Sequence, residues 1–340
     1  MVNKFLHKEI AQQAGFSLAT VDRALHGRAN VSIRTIQRVK LALEELVEQE
    51  GQLAVRGQRM FVDIVVEAPK RFSDEVRSAV QYILPRFSSA IIRPRYHFFE
   101  EATAEKIVKT LKNISARGSQ GIILKVQNIP EVRNEITRLT KLKLPVVTVF
   151  TDCPGTERLA YAGLNNKNAG KTAAYLFAQR FQGQTGTVLT TTSHLHFQGE
   201  DARAKGFAYE MNRLCPNLDL IDASGGAGLA LSTASKITDA LQGINNFLGV
   251  YSMGGGNAAI LMALKAKSLV PELFVAHDLD RENRQLLRQG HVHYILHHDL
   301  QSNLDCAFQH IASFYKSKVP TKFESIVDVQ IITIHNCPRA

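Results

Sequence analysis

From residue 59 onward, short β-branched runs alternate with stretches of helical periodicity, and this constrains the fold more than any other feature of the chain. Strands are expected at 61–67, 93–99, 121–126, 145–150, 187–191, 218–223, 247–251, 273–277 and 293–298. Between and after them lie expected helices at 74–87, 104–117, 130–139, 168–181, 201–214, 232–242, 257–265, 281–288 and 302–315. Buried strands alternating with helices form parallel sheets covered on both faces. About ten strands exceed one ordinary open sheet, so two α/β lobes are expected. Ligands bind such folds in the crevice beyond the carboxyl ends of the strands.

Residues 1–50 differ, because their apolar positions fall at helical spacing only. Leu6, Ile10 and Ala14 mark a first helix, and Val21, Ala24 and Leu25 a second. Gly15 supplies a turn tolerant of positive φ between them, and Ser17 is a good N-cap. Ser32 can cap a third helix with Ile36, Val39, Leu43 and Leu46 as its stripe. From 48 to 57 the stripe is lost, so a linker with at most one helical turn is expected. The domain division is therefore 1–47, a linker or hinge at 48–59, and an α/β part at 60–340.

The formal net charge is +10, and half of it lies in residues 1–43, where seven Lys/Arg face two acids. A compact basic helical unit of this kind suits a polyanion. A helix-turn-helix places the N-terminal outer face of its second helix in the major groove. That face presents Ser17, Leu18, Ala19, Thr20 and Arg23. Arg23 is suited to guanine, and Leu18 and Ala19 to apolar contact with a thymine methyl. Ser17, Thr20, Ser32 and Thr35 are hydroxyl donors for phosphates, and Arg28 and Asn30 in the following loop reach the backbone.

The stretch KEIAQQAGFSLATVDRALHGRANVSIRTIQRVKLALEEL resembles the DNA-binding domain of the lactose-repressor (LacI) family. The matches are Ile10-Ala11, Ala14-Gly15-Phe16-Ser17, Thr20-Val21, Arg23, Leu25, Val31-Ser32, Thr35 and Leu46. The α/β part resembles that family's periplasmic-binding-protein-like core, so the likeness spans essentially the whole chain. It implies a cytoplasmic, homodimeric regulator, repressing rather than activating, that binds near-palindromic operator DNA and answers to a small hydroxylated metabolite such as a sugar or polyol. Several positions depart from the family pattern. Asp22 replaces a Ser and His26 an Asn, and the minor-groove wedge position falls on Gly57, which cannot unstack a base step. Leu53 or Val55 could substitute. Asn165 stands for an Asp, and Gly254-Gly255 for an Asn-Asp pair.

The resemblance also implies effector contacts at the strand-end loops. Asp152 follows the strand at 145–150, and Arg203 matches R-x-x-G-F in Arg203-Ala204-Lys205-Gly206-Phe207. Asp278 matches an acidic sugar acceptor, Ser252 and Asn257 flank the glycine pair, and His297 stands near a ligand-contacting Gln. In the first lobe, Phe72 is expected to stack on a sugar ring, with Lys125 and Gln127 nearby. Lys70 and Arg71 hint at an anionic effector, although basic loop residues are common. An Arg on an amphipathic helix can equally be a surface residue, and an Asp at a strand end can equally cap a turn.

Other function classes find little support. The four cysteines are far apart, without a C-x-x-C pair, and fit free thiols in a reducing compartment. His194-Leu195-His196 and His291-Val292-His293 lack a third ligand at metal-binding spacing, so no metal or cofactor is expected. The glycine clusters at 225–228 and 254–256 fit neither phosphate-loop pattern and are expected as turns. No apolar run reaches about 18 residues, so no membrane span is expected, and the N-terminus reads as free of a secretory signal. The alternatives are a solute-binding component of sugar transport and an enzyme using His297, Asp278 or Arg203. Neither explains the basic helical head.

Overall fold

The computed structural model describes residues 5–28, 31–56, 59–194, 196–244, 246–316 and 323–338. The chain divides into two compact units, Met1–Met60 with Phe87–Ile92, and Phe61–Arg86 with Arg93–Ala340.

The head is built from α1 (His7–Ala14), α2 (Leu18–Leu25) and α3 (Ile33–Arg56). Gly15 ends α1 in the left-handed region at φ 73°, and its amide approaches the Ala11 carbonyl. Ile10, Ala11, Ala14, Val21, Ala24, Val39 and Ala42 form the buried core, with Leu25, Leu43 and Leu46 packed against it. Ile36 is an exception to the expected stripe, being 41% exposed while Ala42 is fully buried. A polar clamp holds α1 to α3. Gln13 donates to Glu45 at 2.5 Å, and Arg38 donates to both Glu45 (2.9 Å) and the Gln13 carbonyl (2.8 Å). These bonds hold the Glu45 carboxyl below its ordinary pKa, the Gln13 bond contributing most.

The expected linker differs from the structure, because α3 runs unbroken through Arg56. Loss of an apolar stripe does not end a helix when the residues remain good helix formers, and Glu48, Gln49, Glu50, Gln52, Leu53, Ala54 and Arg56 all are. Gly57, the expected wedge position, lies outside the described residues.

The larger unit begins with β1 (Arg59–Glu67), α4 (Lys70–Ile83), β2 (Ile91–Phe99), α5 (Ala104–Arg117), β3 (Gly121–Lys125), α6 (Pro130–Lys141), β4 (Val146–Val149) and β5 (Ala160–Leu164). It continues with α7 (Asn166–Phe181), β6 (Gly186–Thr191), α8 (Gln198–Leu214), β7 (Leu218–Asp222), α9 (Ala230–Ala240), β8 (Phe247–Ser252), α10 (Asn257–Ala266), β9 (Leu273–His277), α11 (Arg281–Arg288) and β10 (Tyr294–His297). It ends with α12 (Leu300–Lys316), β11 (Phe323–Val327) and β12 (Gln330–Ile332).

Two six-stranded sheets result, ordered β11-β5-β4-β3-β1-β2 and β12-β10-β9-β8-β6-β7. The pairs β1–β3, β3–β4, β4–β5, β6–β7, β6–β8, β8–β9 and β9–β10 are parallel, as expected from the sequence. The chain crosses between the sheets after β5, after β10 and after β11. The strands β5, β11 and β12 fall outside the expected set. β5 reads Ala160-Tyr161-Ala162-Gly163-Leu164, which has no β-branched residue, and its place beside β4 makes it a strand.

Close helix packing in the second lobe positions the cleft. A Cβ on Gly170 of α7 would sit 2.0 Å from the Arg203 carbonyl, and one on Gly206 of α8 would sit 2.3 Å from the Lys167 carbonyl. The two glycines let α7 and α8 touch backbone to backbone. One turn from Gly206, Arg203 is thereby fixed in the interior, only 5% exposed. Phe207 packs between Phe177 and Tyr251, at 5.5 and 4.5 Å between ring centroids, which anchors α8 to the sheet.

Candidate functional site

In the head, Ser17 caps α2 by accepting from the Thr20 amide at 3.2 Å, and the two hydroxyls lie 2.9 Å apart. Ser32 and Thr35 repeat this arrangement at the start of α3, at 3.1 and 2.8 Å. These hydroxyls therefore organise helix starts, where backbone amides face outward and favour anions. Leu18 is 52% exposed, Ala19 is exposed, and Arg23 lies along the same helix with its Nε donating to the Ala19 carbonyl at 3.0 Å. The Asp22 carboxylate accepts from Arg28 at 3.0 Å and faces His26 Nδ1 at 3.1 Å. Asn30 lies outside the described residues.

In the larger unit, a cleft of about 710 Å³ including its mouth lies at the carboxyl ends of β1, β4, β6, β8 and β9. Its aromatic wall is continuous. Phe72 meets Phe150 edge-on at 5.4 Å, and Phe150 lies 5.4 Å from His298. Phe150 and Asp278 each follow a strand and each hold a positive φ, 64° and 66°. Such backbone strain in non-glycine residues concentrates at ligand sites. Asn283 locks the Asp278 loop, donating to the carbonyls of His277 (2.9 Å) and Asp278 (2.7 Å).

The polar groups of the cleft are mostly buried. The Lys125 ammonium donates to the Glu67 carbonyl at 2.8 Å and lies 4.0 Å from the Phe197 ring centroid. Burial lowers its pKa. Glu200 accepts from the Ser193 amide and hydroxyl, each at 2.6 Å, while burial pushes its carboxyl pKa up. Arg203 donates to Asn166 Oδ1 (2.7 Å) and the Met253 carbonyl (2.9 Å). Burial holds the His277 pKa well below the usual imidazole range and that of His298 down to about 4, so both rings are neutral near pH 7. His277 Nε2 pairs with the Tyr251 hydroxyl at 2.8 Å. Nδ1 of His277 and Nε2 of His298 are buried without a hydrogen bond, and His298 Nδ1 lies 3.4 Å from Asp278 Oδ1, neither of them hydrogen-bonded.

Comparisons with known proteins agree with this architecture. Residues 75–302 match the periplasmic binding protein domain, and residues 8–47 match the bacterial regulatory proteins of the lacI family. The chain belongs to the periplasmic binding protein domain family, carrying a lacI-family head. It is a DNA-binding regulator built on that pairing. Among curated protein sequences none matches it.

Solved structures share the fold of the larger unit. A glucose-galactose binding protein, GanP, from Geobacillus stearothermophilus is 19% identical, with a TM-score of 0.71 over 82% of this chain and 98% of its own. A proposed LacI transcriptional regulator from Bacteroides fragilis is 12% identical, with a TM-score of 0.72 over 82% and 98%. A solute-binding protein of an ABC transporter from Burkholderia graminis, in complex with D-arabinose, is 18% identical, with a TM-score of 0.70 over 82% and 96%. At these identities the likeness is one of fold.

Within this lacI-type regulator, the structure brings Phe72, Lys125, Arg203 and Asp278 together around the cleft. Five other expected residues do not line it. Asp152 is held by Arg158 through two bonds (2.5 and 2.6 Å) and by the Thr148 hydroxyl, so it braces a turn. Gln127 donates to Glu67 at 2.7 Å. Ser252 is fully buried behind the lining, and Asn257 donates to Asn283 at 2.6 Å, supporting the Asp278 loop from behind. His297 Nδ1 lies 3.3 Å from the Leu279 amide, while its neighbour His298 lines the cleft. Adjacent residues of an extended strand face opposite ways, and nothing local gives the parity.

Sequence reasoning missed Phe150, Ser193, Phe197, Glu200, His277 and Asp280, all of which line the cleft. The available signal was position, since Phe150, His277 and Asp280 lie at or just after strand ends. Among the described residues, no helix is long and apolar enough to cross a membrane, and no group of three or more His, Cys, Asp or Glu could hold a metal ion.

Proposed function

We propose that the larger unit binds a neutral, polyhydroxylated small molecule, a monosaccharide or polyol, and that this effector controls how the heads engage operator DNA. The observation that carries this reading is the set of buried, unpartnered polar atoms in the cleft. Nδ1 of His277 and Nε2 of His298 lack partners, Nδ1 of His298 and Oδ1 of Asp278 face each other at 3.4 Å without a hydrogen bond, and all three residues line the cleft. Buried polar groups need partners, and a neutral imidazole has one nitrogen to donate and one to accept. Hydroxyl groups answer both needs. The aromatic wall of Phe72 and Phe150 suits the apolar face of a sugar ring. Three cations in the cleft, Arg71, Lys125 and Arg203, face four carboxylates, Glu100, Glu200, Asp278 and Asp280, which disfavours a strongly anionic ligand. Sugar-binding names among proteins of the same fold support the class.

The heads act as a pair in a cytoplasmic homodimer on a near-palindromic operator, repressing transcription without enzymatic turnover. Two-fold symmetry would place two copies of α2 in successive major grooves. Arg23, Leu18 and Ala19 read base edges, while Arg28, Asn30 and the amides behind Ser17, Thr20, Ser32 and Thr35 meet phosphates. The working division is a head at 1–47, a joining segment at 48–59 and an effector and dimerisation unit at 60–340. The basic head separates this role from that of a transport component.

Isothermal titration of the full chain with D-glucose, D-galactose, D-arabinose and D-fructose tests the effector class. Saturable binding of at least one, lost in Arg203→Ala, is expected. Binding only of anionic compounds such as sugar phosphates would overturn the neutral-ligand reading. Turnover of a bound sugar would overturn the regulator reading of the cleft.

A further inference from the structure

Arg71 at the start of α4 belongs to the first lobe, yet its polar partners belong to the second. Its Nε donates to Asp280 Oδ2 at 3.2 Å, and its Nη1 donates to the Gly228 carbonyl at 3.0 Å. Asp280 is 7% exposed at its side chain and Arg71 is 26% exposed, so the pair is largely withdrawn from water. Asp280 is also the N-cap of α11, with its other oxygen accepting from the Asn283 amide at 2.7 Å. The carboxylate is thus held rigidly for the guanidinium to meet. Burial pushes its pKa up to about 6, and the Arg71 charge works against that.

The loop facing Arg71 is shaped for it. A Cβ on Gly255 would lie 2.3 Å from Arg71 Nη2, so the guanidinium rests directly on the Gly255 backbone. Gly255 also holds φ +84°, a conformation other residues adopt poorly. A Cβ on Gly254 would lie 2.1 Å from the Ser193 amide, and one on Gly228 would lie 2.8 Å from the Gly254 carbonyl. Gly255, the second of the glycine pair that departs from the Asn-Asp expected by resemblance, is therefore the seat of an arginine from the opposite lobe. A backbone bond from the Asn128 amide to the His196 carbonyl, at 2.9 Å, joins the lobes at a second place.

We propose that Arg71 is an interlobe clasp, seated on Gly255 and tied to Asp280 and the Gly228 carbonyl, that holds the two lobes closed and sets how long an effector stays bound. Its geometry is independent of the effector, whereas its consequence for residence time rests on the effector reading above. The clasp lies at the lining of the same cleft and acts by positioning the lobes. Truncating one partner of a buried, hydrogen-bonded charge pair acts mainly on dissociation.

The test measures closure without any effector. Spin labels at Lys112→Cys on α5 and Lys236→Cys on α9, both exposed, report the distance between lobes by double electron–electron resonance. The full chain carries Cys306→Ser and Cys337→Ser, while Cys153 and Cys215 are buried. Arg71→Ala should move the distribution to longer distances, and Gly255→Ala should reproduce that shift by unseating the arginine. Arg71→Lys, which keeps charge but cannot span both partners as a fork, should give a smaller shift. An unchanged distribution in Arg71→Ala would overturn the clasp, and so would a shift confined to Gly255→Ala. If none of the four sugars binds, a shift in Arg71→Ala still supports the clasp while the sugar reading fails. With a sugar that binds, dissociation from Arg71→Ala should be roughly tenfold faster or more.

Discussion

The head and the cleft solve recognition in opposite ways. The head exposes its recognition groups. Leu18 is half exposed, Ser17 and Ala19 face solvent, and the helix-start hydroxyls are satisfied by their own backbone. The cleft buries its groups, leaving His298 only 1% exposed, with Nε2 unpartnered and Nδ1 3.4 Å from Asp278 Oδ1 without a hydrogen bond. A rigid, self-satisfied surface suits a large polyanion that supplies its own complementary charge. A buried, unsatisfied one suits a small molecule that completes the hydrogen bonding. Substitutions should therefore separate cleanly, with cleft changes altering stability and effector binding together and head changes altering DNA binding alone.

The largest effect is expected for Arg203→Ala. It removes a buried cation from beside Glu200 and leaves Asn166 Oδ1 and the Met253 carbonyl short of a donor. Breaking a buried charged network of this kind destabilises by about 3–5 kcal/mol, readable by chemical denaturation. A change under about 1 kcal/mol, in the range of surface pairs, would break the contrast with the head.

Acid should act next most strongly. The folded-state pKa of His298, about 4, lies below its ordinary value of 6.5 because of burial. The unfolded chain then binds the extra proton first, so stability falls as pH drops from 6.5 toward 4, by roughly 3 kcal/mol for this group. Asp280 has the opposite sign, its pKa being raised to about 6, and it contributes stability at low pH that fades as pH rises from 3.8 to 6. Replacing His298 by Gln should therefore remove its share of the acid-side loss, leaving that of His277, whose pKa burial also lowers. If stability between pH 4 and 6.5 is the same in both proteins, the buried-imidazole account of the cleft fails.

Overpacking comes third. Gly206→Ala should destabilise by about 1–3 kcal/mol by forcing α7 and α8 apart, and it should weaken effector binding because Arg203 rides on α8. Wild-type stability in this variant would mean that the close approach of the two helices is dispensable.

The smallest effects should lie in the head. Arg23→Ala should lower affinity for the specific site by about 1–3 kcal/mol and leave thermal stability within about 0.5 kcal/mol of wild type. Loss of folding stability comparable with that in Arg203→Ala would show that the head, too, depends on buried recognition groups.

Legibility followed the same divide. The head could be read almost residue by residue because helix periodicity, Gly15 and the Ser17 cap are local signals. Its apolar misses are two, Leu6, which caps α1 at 71% exposure, and Ile36 for Ala42, a slip of stripe within a single helix. The α/β alternation was legible for the same reason, and it correctly led to the strand-end loops. Which side chain of a loop turns into the cleft was not legible. Asp152 could accept from a sugar or cap a turn by its position, and Arg158, six residues on, decides it by closing over the carboxylate. His297 and His298 differ only by strand parity. Arg71 meets its partners 157 and 209 residues away, a distance no local pattern spans. Helix propensity carries α3 past residue 47, where its apolar stripe ends, so the helix is longer than its core.

The central claim joins the two regions, a head that reads DNA and a cleft whose ligand changes that reading. Its most direct test is binding of the full chain to DNA upstream of its own coding sequence and to random DNA, at two salt concentrations, with and without the sugar found by titration, for wild type and Arg23→Ala. The account predicts preference for the upstream DNA, a salt-dependent affinity, loss of preference in Arg23→Ala, and a shift in wild-type affinity when the sugar is added. Equal binding of wild type and Arg23→Ala to both DNAs, unmoved by the sugar, would contradict it.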